Sequence, residues 1–293
     1  MRFHAVRARV RAEAPLAHLS TTPYLLPSYK EFEINALNAT WDLQLNRAYD
    51  DGGGENSSRV YGPAGWDYPA PIGGPKSLHA ATFVAGTINA PTVGSSSWSV
   101  EVALPLSSLV QNTAAAAPPT PGSFWRINFS RVEWAVKTSP DGSAYWKEPS
   151  CQSCPVPGAG NEDNWVWSPQ GSIAMHLPEK WGMLQFATGT VNMTAAVTNG
   201  EWPVRAIAAA VYYAEHAYAG DHNGTFTERV DDLVPYLADA AIVDGTCTGG
   251  APVILGVSQS PAAFVAAVPA STFGDGFSTA TINQVRFLQV GRA

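Results

Sequence analysis

Trp165 and Trp167 stand two residues apart in Asn164-Trp165-Val166-Trp167-Ser168-Pro169-Gln170-Gly171. A second block, Phe124-Trp125-Arg126-Ile127-Asn128-Phe129-Ser130-Arg131-Val132-Glu133-Trp134, mixes indoles with charged and amide side chains. A spacing of two puts both indoles on one side of an extended strand. A sugar ring offers an apolar C–H face and a rim of hydroxyls, so flat rings beside hydrogen-bonding groups suit it. The residues that fit this chemistry are Trp134, Trp165 and Trp167 for ring faces, and Arg131, Glu133 and Gln170 for hydroxyls. Asn128 and Ser130 either join them or pair within the sheet. His176, beside Met175, is the one histidine near this face. The same spacing also suits a core seam, in which the indoles are packing.

Covalent chemistry has less to build on. Glu133 with Glu162 or Asp163 forms the one carboxylate set suited to glycoside cleavage, and a salt bridge from Glu133 to Arg126 or Arg131 explains it equally well. No Gly-x-Ser-x-Gly places a nucleophilic serine. His79, His176, His216 and His222 lack the spacings that hold a metal. Cys151-Gln152-Ser153-Cys154 has no second pair to complete a zinc site, so a local disulfide or inert thiols fits it and Cys247 better. Asp50-Asp51-Gly52-Gly53-Gly54 resembles a calcium loop only in its acidic start, without ligands at the required offsets. No cofactor is expected.

The elements that must position these residues are mainly strands. Charged residues make up 14% of 293, whereas Gly and Pro number 26 and 23, which favours short strands and loops over long surface helices. A net charge of −7 argues against a nucleic-acid partner, and no apolar run reaches membrane-spanning length. Asn-x-Ser/Thr sequons at Asn38, Asn56, Asn128, Asn192 and Asn223 lean weakly toward secretion, although no signal peptide is visible.

Residues 1–28 show no convincing periodicity and read as a poorly ordered leader. Strand alternation runs through Glu31–Leu37, Trp41–Leu45, Ser77–Ala85, Trp98–Leu104, Phe124–Trp134, Trp165–Trp167 and Gly182–Phe186. Residues 50–76 and the Ala/Pro run at 114–121 are loops. Such short strands with Gly/Pro-rich turns predict an antiparallel β-sandwich over 29–190, immunoglobulin-like or jelly-roll-like. A small α+β unit over 195–293 follows. Trp202–Asp221 is its helix, because apolar residues recur at steps of three and four. A second short helix opens at Thr227 and runs to Leu237. Val253–Leu255, Ala262–Val268 and Ile282–Val290 are its strands.

Over Tyr29–Phe186 the chain resembles the carbohydrate-binding module family 9-like domain. The resemblance rests on Tyr29-Lys30-Glu31-Phe32-Glu33-Ile34-Asn35-Ala36-Leu37-Asn38, Gly86-Thr87-Ile88-Asn89 and Trp98-Ser99-Val100-Glu101-Val102-Ala103-Leu104-Pro105. It continues through Trp125–Trp134, Asn164–Gly171 and Leu177-Pro178-Glu179-Lys180-Trp181-Gly182. It implies a β-sandwich that binds an oligosaccharide or polysaccharide without catalysis, in an extracellular protein linked to polysaccharide breakdown. Family members carry further strands upstream, so the chain reads as incomplete at its start. The family places one of its two sugar-clamping tryptophans where this chain has Met175, which is apolar but not flat. The tail resembles, more weakly, a pilin-like unit. Outside this reading stand a glycoside hydrolase, which would lose activity in Glu133→Gln, and a protein-interaction or degenerate scaffold domain that binds no glycan.

Overall fold

The computed structural model describes residues 3–12, 29–45, 47–52, 55–57, 79–90, 97–103, 106, 118–134, 136–143, 145–147, 162–172, 174–188, 199–273 and 276–292. Antiparallel sheets dominate. The chain separates into two units, the first ending at Phe186 and the second comprising Asp50–Gly52 and Ala187–Ala293 together with Pro15–Pro27; Pro15–Pro27 lies outside the described residues.

The first unit is a sandwich-like β unit built on a seven-stranded sheet in the order β10-β7-β1-β2-β3-β4. Its members are β1 (Phe3–Ala12), β2 (Tyr29–Asn35), β3 (Thr40–Leu45), β4 (Glu55–Ser57), β7 (Phe124–Trp134) and β10 (Glu162–Val166). The seventh, β11 (Gly182–Gln185), also pairs with β7. Two hairpins complete the unit, β5 (His79–Ala85) with β6 (Ser97–Ala103) and β8 (Val136–Thr138) with β9 (Tyr145–Lys147). The first hairpin is tied to the large sheet by Thr82, whose hydroxyl donates to the Ala36 carbonyl at 3.3 Å.

Residues 3–12 are a strand, which corrects the expectation of a leader. β1 lies between β2 and β7, with Arg9 in register with both Glu31 and Asn128, and Arg7 with both Glu33 and Ser130. The alternation Arg7-Ala8-Arg9-Val10-Arg11-Ala12 carries the period of two that a strand requires. As a bare cluster of arginines it reads as a basic terminus; the two neighbouring strands give it a ladder on each side.

The second unit packs the 20-residue helix α1 (Trp202–Asp221) on one face of a four-stranded sheet in the order β12-β13-β14-β15. The strands are β12 (Ile254–Gln259), β13 (Ala262–Pro269), β14 (Phe277–Asn283) and β15 (Leu288–Arg292). Val204, Ile207, Ala208, Val211 and Ala214 of the helix meet Phe264, Ala266, Val268, Ala280, Ile282 and Val290 in one core. These helical positions recur at three and four, the spacing of one face. Pro203 occupies the first turn, where the absent N–H costs nothing. After Asp221 the backbone turns left-handed at Asn223 and Gly224, and the Gly224 N–H donates to the Ala219 carbonyl at 2.7 Å. The short helix α2 (Val230–Leu233) begins three residues later than Thr227 and passes into a 3-10 turn at Val234–Tyr236.

The predicted strand Ile282–Val290 is instead two strands joined by a tight turn. The Asn283 side chain accepts from the N–H groups of Val285 and Phe287 at 3.1 and 3.0 Å, and Arg286 adopts φ 59. The β2–β3 turn repeats this device: Asn35 Oδ1 accepts from Leu37 and Ala39 at 2.9 and 3.0 Å, and Asn38 adopts φ 60. An Asn side chain that mimics a backbone acceptor stops the strand in both places.

Candidate functional site

Two short strands share one edge of β7. β10 pairs with its second half, placing Trp165 opposite Arg131 and Asp163 opposite Glu133. β11 pairs with its first half, placing Gly182 opposite Ile127 and Leu184 opposite Trp125. Trp167 fills the gap between them, its backbone N–H donating to the Phe129 carbonyl at 3.0 Å. Because the side-chain period is two, Phe129, Arg131, Trp165, Trp167 and Gly182 all fall on one face of the sheet.

That face is open along the β10 half. Trp165 is 56% exposed, Trp167 52% and Phe129 43%, while Ile127 at 8% and Trp125 at 2% are covered. The Arg131 guanidinium lies 5.7 Å from the centre of the Trp165 ring. Phe129 meets Trp167 edge-to-face, with centroids 5.6 Å apart. Aromatic and cation–π contacts of this kind hold a ring in place without burying it. The indole of Trp167 also lies over Gly182, where a Cβ would stand 2.4 Å from its Cζ2. Gly182 therefore lets the ring lie flat against the strand. Gly182→Ala is expected to turn the Trp167 indole away from the strand, since the added methyl group has no room beneath the ring. A shifted tryptophan emission with an unchanged far-UV spectrum is the accompanying readout.

The other candidate residues lie elsewhere. Glu133 and Trp134 end β7, in register with Asp163 and Glu162, and their side chains lie outside the described residues. Glu133 and Asp163 are direct partners in the β7–β10 register.

Gln170, Met175 and His176 belong to the loop that leaves this edge for the opposite face of the sheet. Gln170 is 7% exposed, and its amide N–H groups reach the carbonyls of Ser172 and Ala174 at 3.0 and 3.1 Å and the Met175 sulfur at 3.4 Å. Met175 is 6% exposed, and its carbonyl accepts from the Trp181 indole N–H at 2.9 Å. His176 Nδ1 is 2.6 Å from the Tyr29 hydroxyl, its Nε2 is 3.8 Å from Glu31 Oε2, and its ring lies 5.1 Å from that of Tyr49. Trp181 packs edge-to-face on Tyr29, and its carbonyl accepts from Arg126 at 2.8 Å. The loop thus closes over Tyr29, Glu31 and Arg126. Gln170 and Met175 have no part in the exposed strip.

Phe129 and Gly182 join the strip although neither stood out in the sequence. Phe129 is legible in hindsight, since it shares the period of two with Arg131. Gly182 has no local signal, because the ring it accommodates is fifteen positions away. Among the described residues no three His, Cys, Asp or Glu side chains come together to hold a metal. Cys247 is an exposed thiol, while Cys151 and Cys154 lie outside the described residues. No described helix is long and apolar enough to cross a membrane.

The second unit buries charge of its own. Arg286 Nε lies 3.1 Å from Asp51 Oδ2, with both side chains nearly inaccessible, and the Tyr212 hydroxyl donates to Asp51 Oδ1. Arg286 also donates to the Tyr212 oxygen at 3.1 Å and lies over that ring. Burial, with the hydrogen bond to Asp51, pushes the Tyr212 phenol up. His216, beside Tyr212, is pushed down by burial, and its Nε2 is 3.0 Å from the Gln284 carbonyl. Glu215 is fully buried, and one of its oxygens accepts from the Thr227 N–H at 3.2 Å. Lack of solvation raises its pKa to about 7.

No family model matches the chain, and no curated protein and no solved structure matches it.

Proposed function

We propose that this chain is a non-catalytic carbohydrate-binding module of the family 9-like type, carried by an extracellular protein, with a pilin-like unit at its C-terminal end. The observation that carries this reading is the strip on β7 and β10. Two indoles more than half exposed stand in one row, and Phe129, Arg131 and Gly182 fix their orientation. An exposed aromatic surface held rigid by a sheet loses little entropy when a sugar stacks on it. The exposed Arg131 guanidinium supplies a polar group at the rim. The ligand is an oligosaccharide or a polysaccharide strand lying against the strip. Met175 does not serve as a clamp, because it is enclosed by Gln170 and Trp181.

Isothermal titration against a panel of soluble oligosaccharides and polysaccharides tests the proposal. The double variant Trp165→Ala/Trp167→Ala should lose at least about 2 kcal/mol of binding, roughly a 30-fold rise in Kd. No binding to any saccharide, or undiminished binding by the double variant, refutes it.

A further inference from the structure

We infer that Asn38 and Asn223 are acceptor sites for N-linked glycans, an inference that rests on the extracellular setting proposed above. Three sequons have described side chains, and the structure separates them sharply. Asn128 lies inside β7 at 1% exposure, with both side-chain amide atoms enclosed. A glycan there cannot coexist with the sheet. Asn38 and Asn223 are exposed, each at the left-handed position of a tight turn, with φ 60 and 55. Their third residues, Thr40 and Thr225, are exposed as well. Asn192 and the side chain of Asn56 lie outside the described residues.

Each turn is held by groups other than the acceptor amide. At the β2–β3 turn, Asn35 makes the side-chain bonds to Leu37 and Ala39, and the Asn38 N–H donates to the Asn35 carbonyl at 3.0 Å. After α1, the Gly224 N–H donates to Ala219, and the Thr225 N–H donates to the His222 carbonyl at 3.1 Å. The side-chain amides of Asn38 and Asn223 make no hydrogen bond among the described residues, so a glycan displaces nothing. In the transfer step the amide Nδ2 attacks C1 of an oligosaccharide carried on a lipid diphosphate. The N–C1 bond forms, the C1–O bond to the diphosphate breaks, the lipid diphosphate leaves, and the amide proton passes to the transferase. The strip on β10 is three strands from β2 in the sheet, about 14 Å away at the usual strand spacing.

The test expresses the full chain through the secretory pathway of a eukaryotic host, behind a heterologous leader. Glycopeptides are mapped by mass spectrometry before and after peptide-N-glycosidase. Glycan at both Asn38 and Asn223, with Asn128 unmodified, is the expected result. Thr40→Ala and Thr225→Ala should each remove one glycan while keeping the asparagine that the turn tolerates. An unmodified Asn38 or Asn223 in the secreted protein, or a glycan on Asn128 in folded protein, overturns the assignment. Saccharide titration of unglycosylated protein made in bacteria tests the binding proposal separately, so either can fail alone.

Discussion

Asp51→Ala lowers the stability of the second unit by about 3–5 kcal/mol, the usual cost of stripping one partner from a buried ion pair. The Arg286 side chain is 7% exposed and that of Asp51 3%, so water cannot replace the lost carboxylate. The Tyr212 hydroxyl loses its acceptor in the same step. Arg286 also sits at φ 59, a conformation that costs a long side chain about 1 kcal/mol or more and that its contacts to Asp51 and Tyr212 help to hold. For a unit of this size the loss corresponds to a melting temperature lower by about 12 °C or more. Differential scanning calorimetry of the full chain, alongside Arg286→Ala and the double variant, measures it. The two single losses should fail to add by more than about 1 kcal/mol. Strict additivity, or a melting temperature unchanged by Asp51→Ala, would show that the pair contributes nothing.

Glu215 makes the second unit less stable as pH rises. In the unfolded chain its carboxyl titrates near the ordinary glutamate value of 4.5, and in the folded chain near 7. The folded state therefore holds a proton that the unfolded state has released. The stabilisation is complete below the unfolded value and is lost as pH climbs through the folded one. The groups facing Glu215 explain the direction. The Thr227 N–H favours the ion, but burial and the nearby Asp232 oppose it. Arg229 pairs with Asp232 at 3.6 Å, but it is largely exposed, so water screens the pair. Glu215→Gln keeps an acceptor for Thr227 and cannot ionise. The stability of this variant relative to wild type should improve by about 2 kcal/mol between about pH 5 and about pH 8. Chemical denaturation at the two pH values reads this directly, and a difference that does not change with pH rules the mechanism out.

Neither prediction could be made from the sequence. Asp51 stood in a Gly-rich loop with a superficial likeness to a calcium site, and its partner follows 235 positions later. Glu215 carries no signal of its own in the sequence; its burial and the bond from Thr227 show that it faces inward. The helix itself was plain, because Ala206, Ile207, Ala210, Val211, Ala214 and Ala217 recur at three- and four-residue steps. β1 shows the opposite case. Its alternation was present, yet arginines at every second position read as a charged terminus until Glu31, Glu33, Asn128 and Ser130 are seen in register beside them.

The strip divides along the same line. That Trp165 and Trp167 share a side, and that Arg131 and Glu133 share one on their own strand, follows from the geometry of an extended chain and needs no partner. Which side is open is a property of what else arrives there. The loop carrying Gln170, Met175, His176 and Trp181 crosses to the face of Tyr29, Glu31 and Arg126, covering it and leaving the tryptophans bare. Gly182 then reaches Trp167 through the shared edge of β7. Spacing is local and written in the sequence; exposure is a difference between covered and uncovered surface, and only the assembled chain decides it.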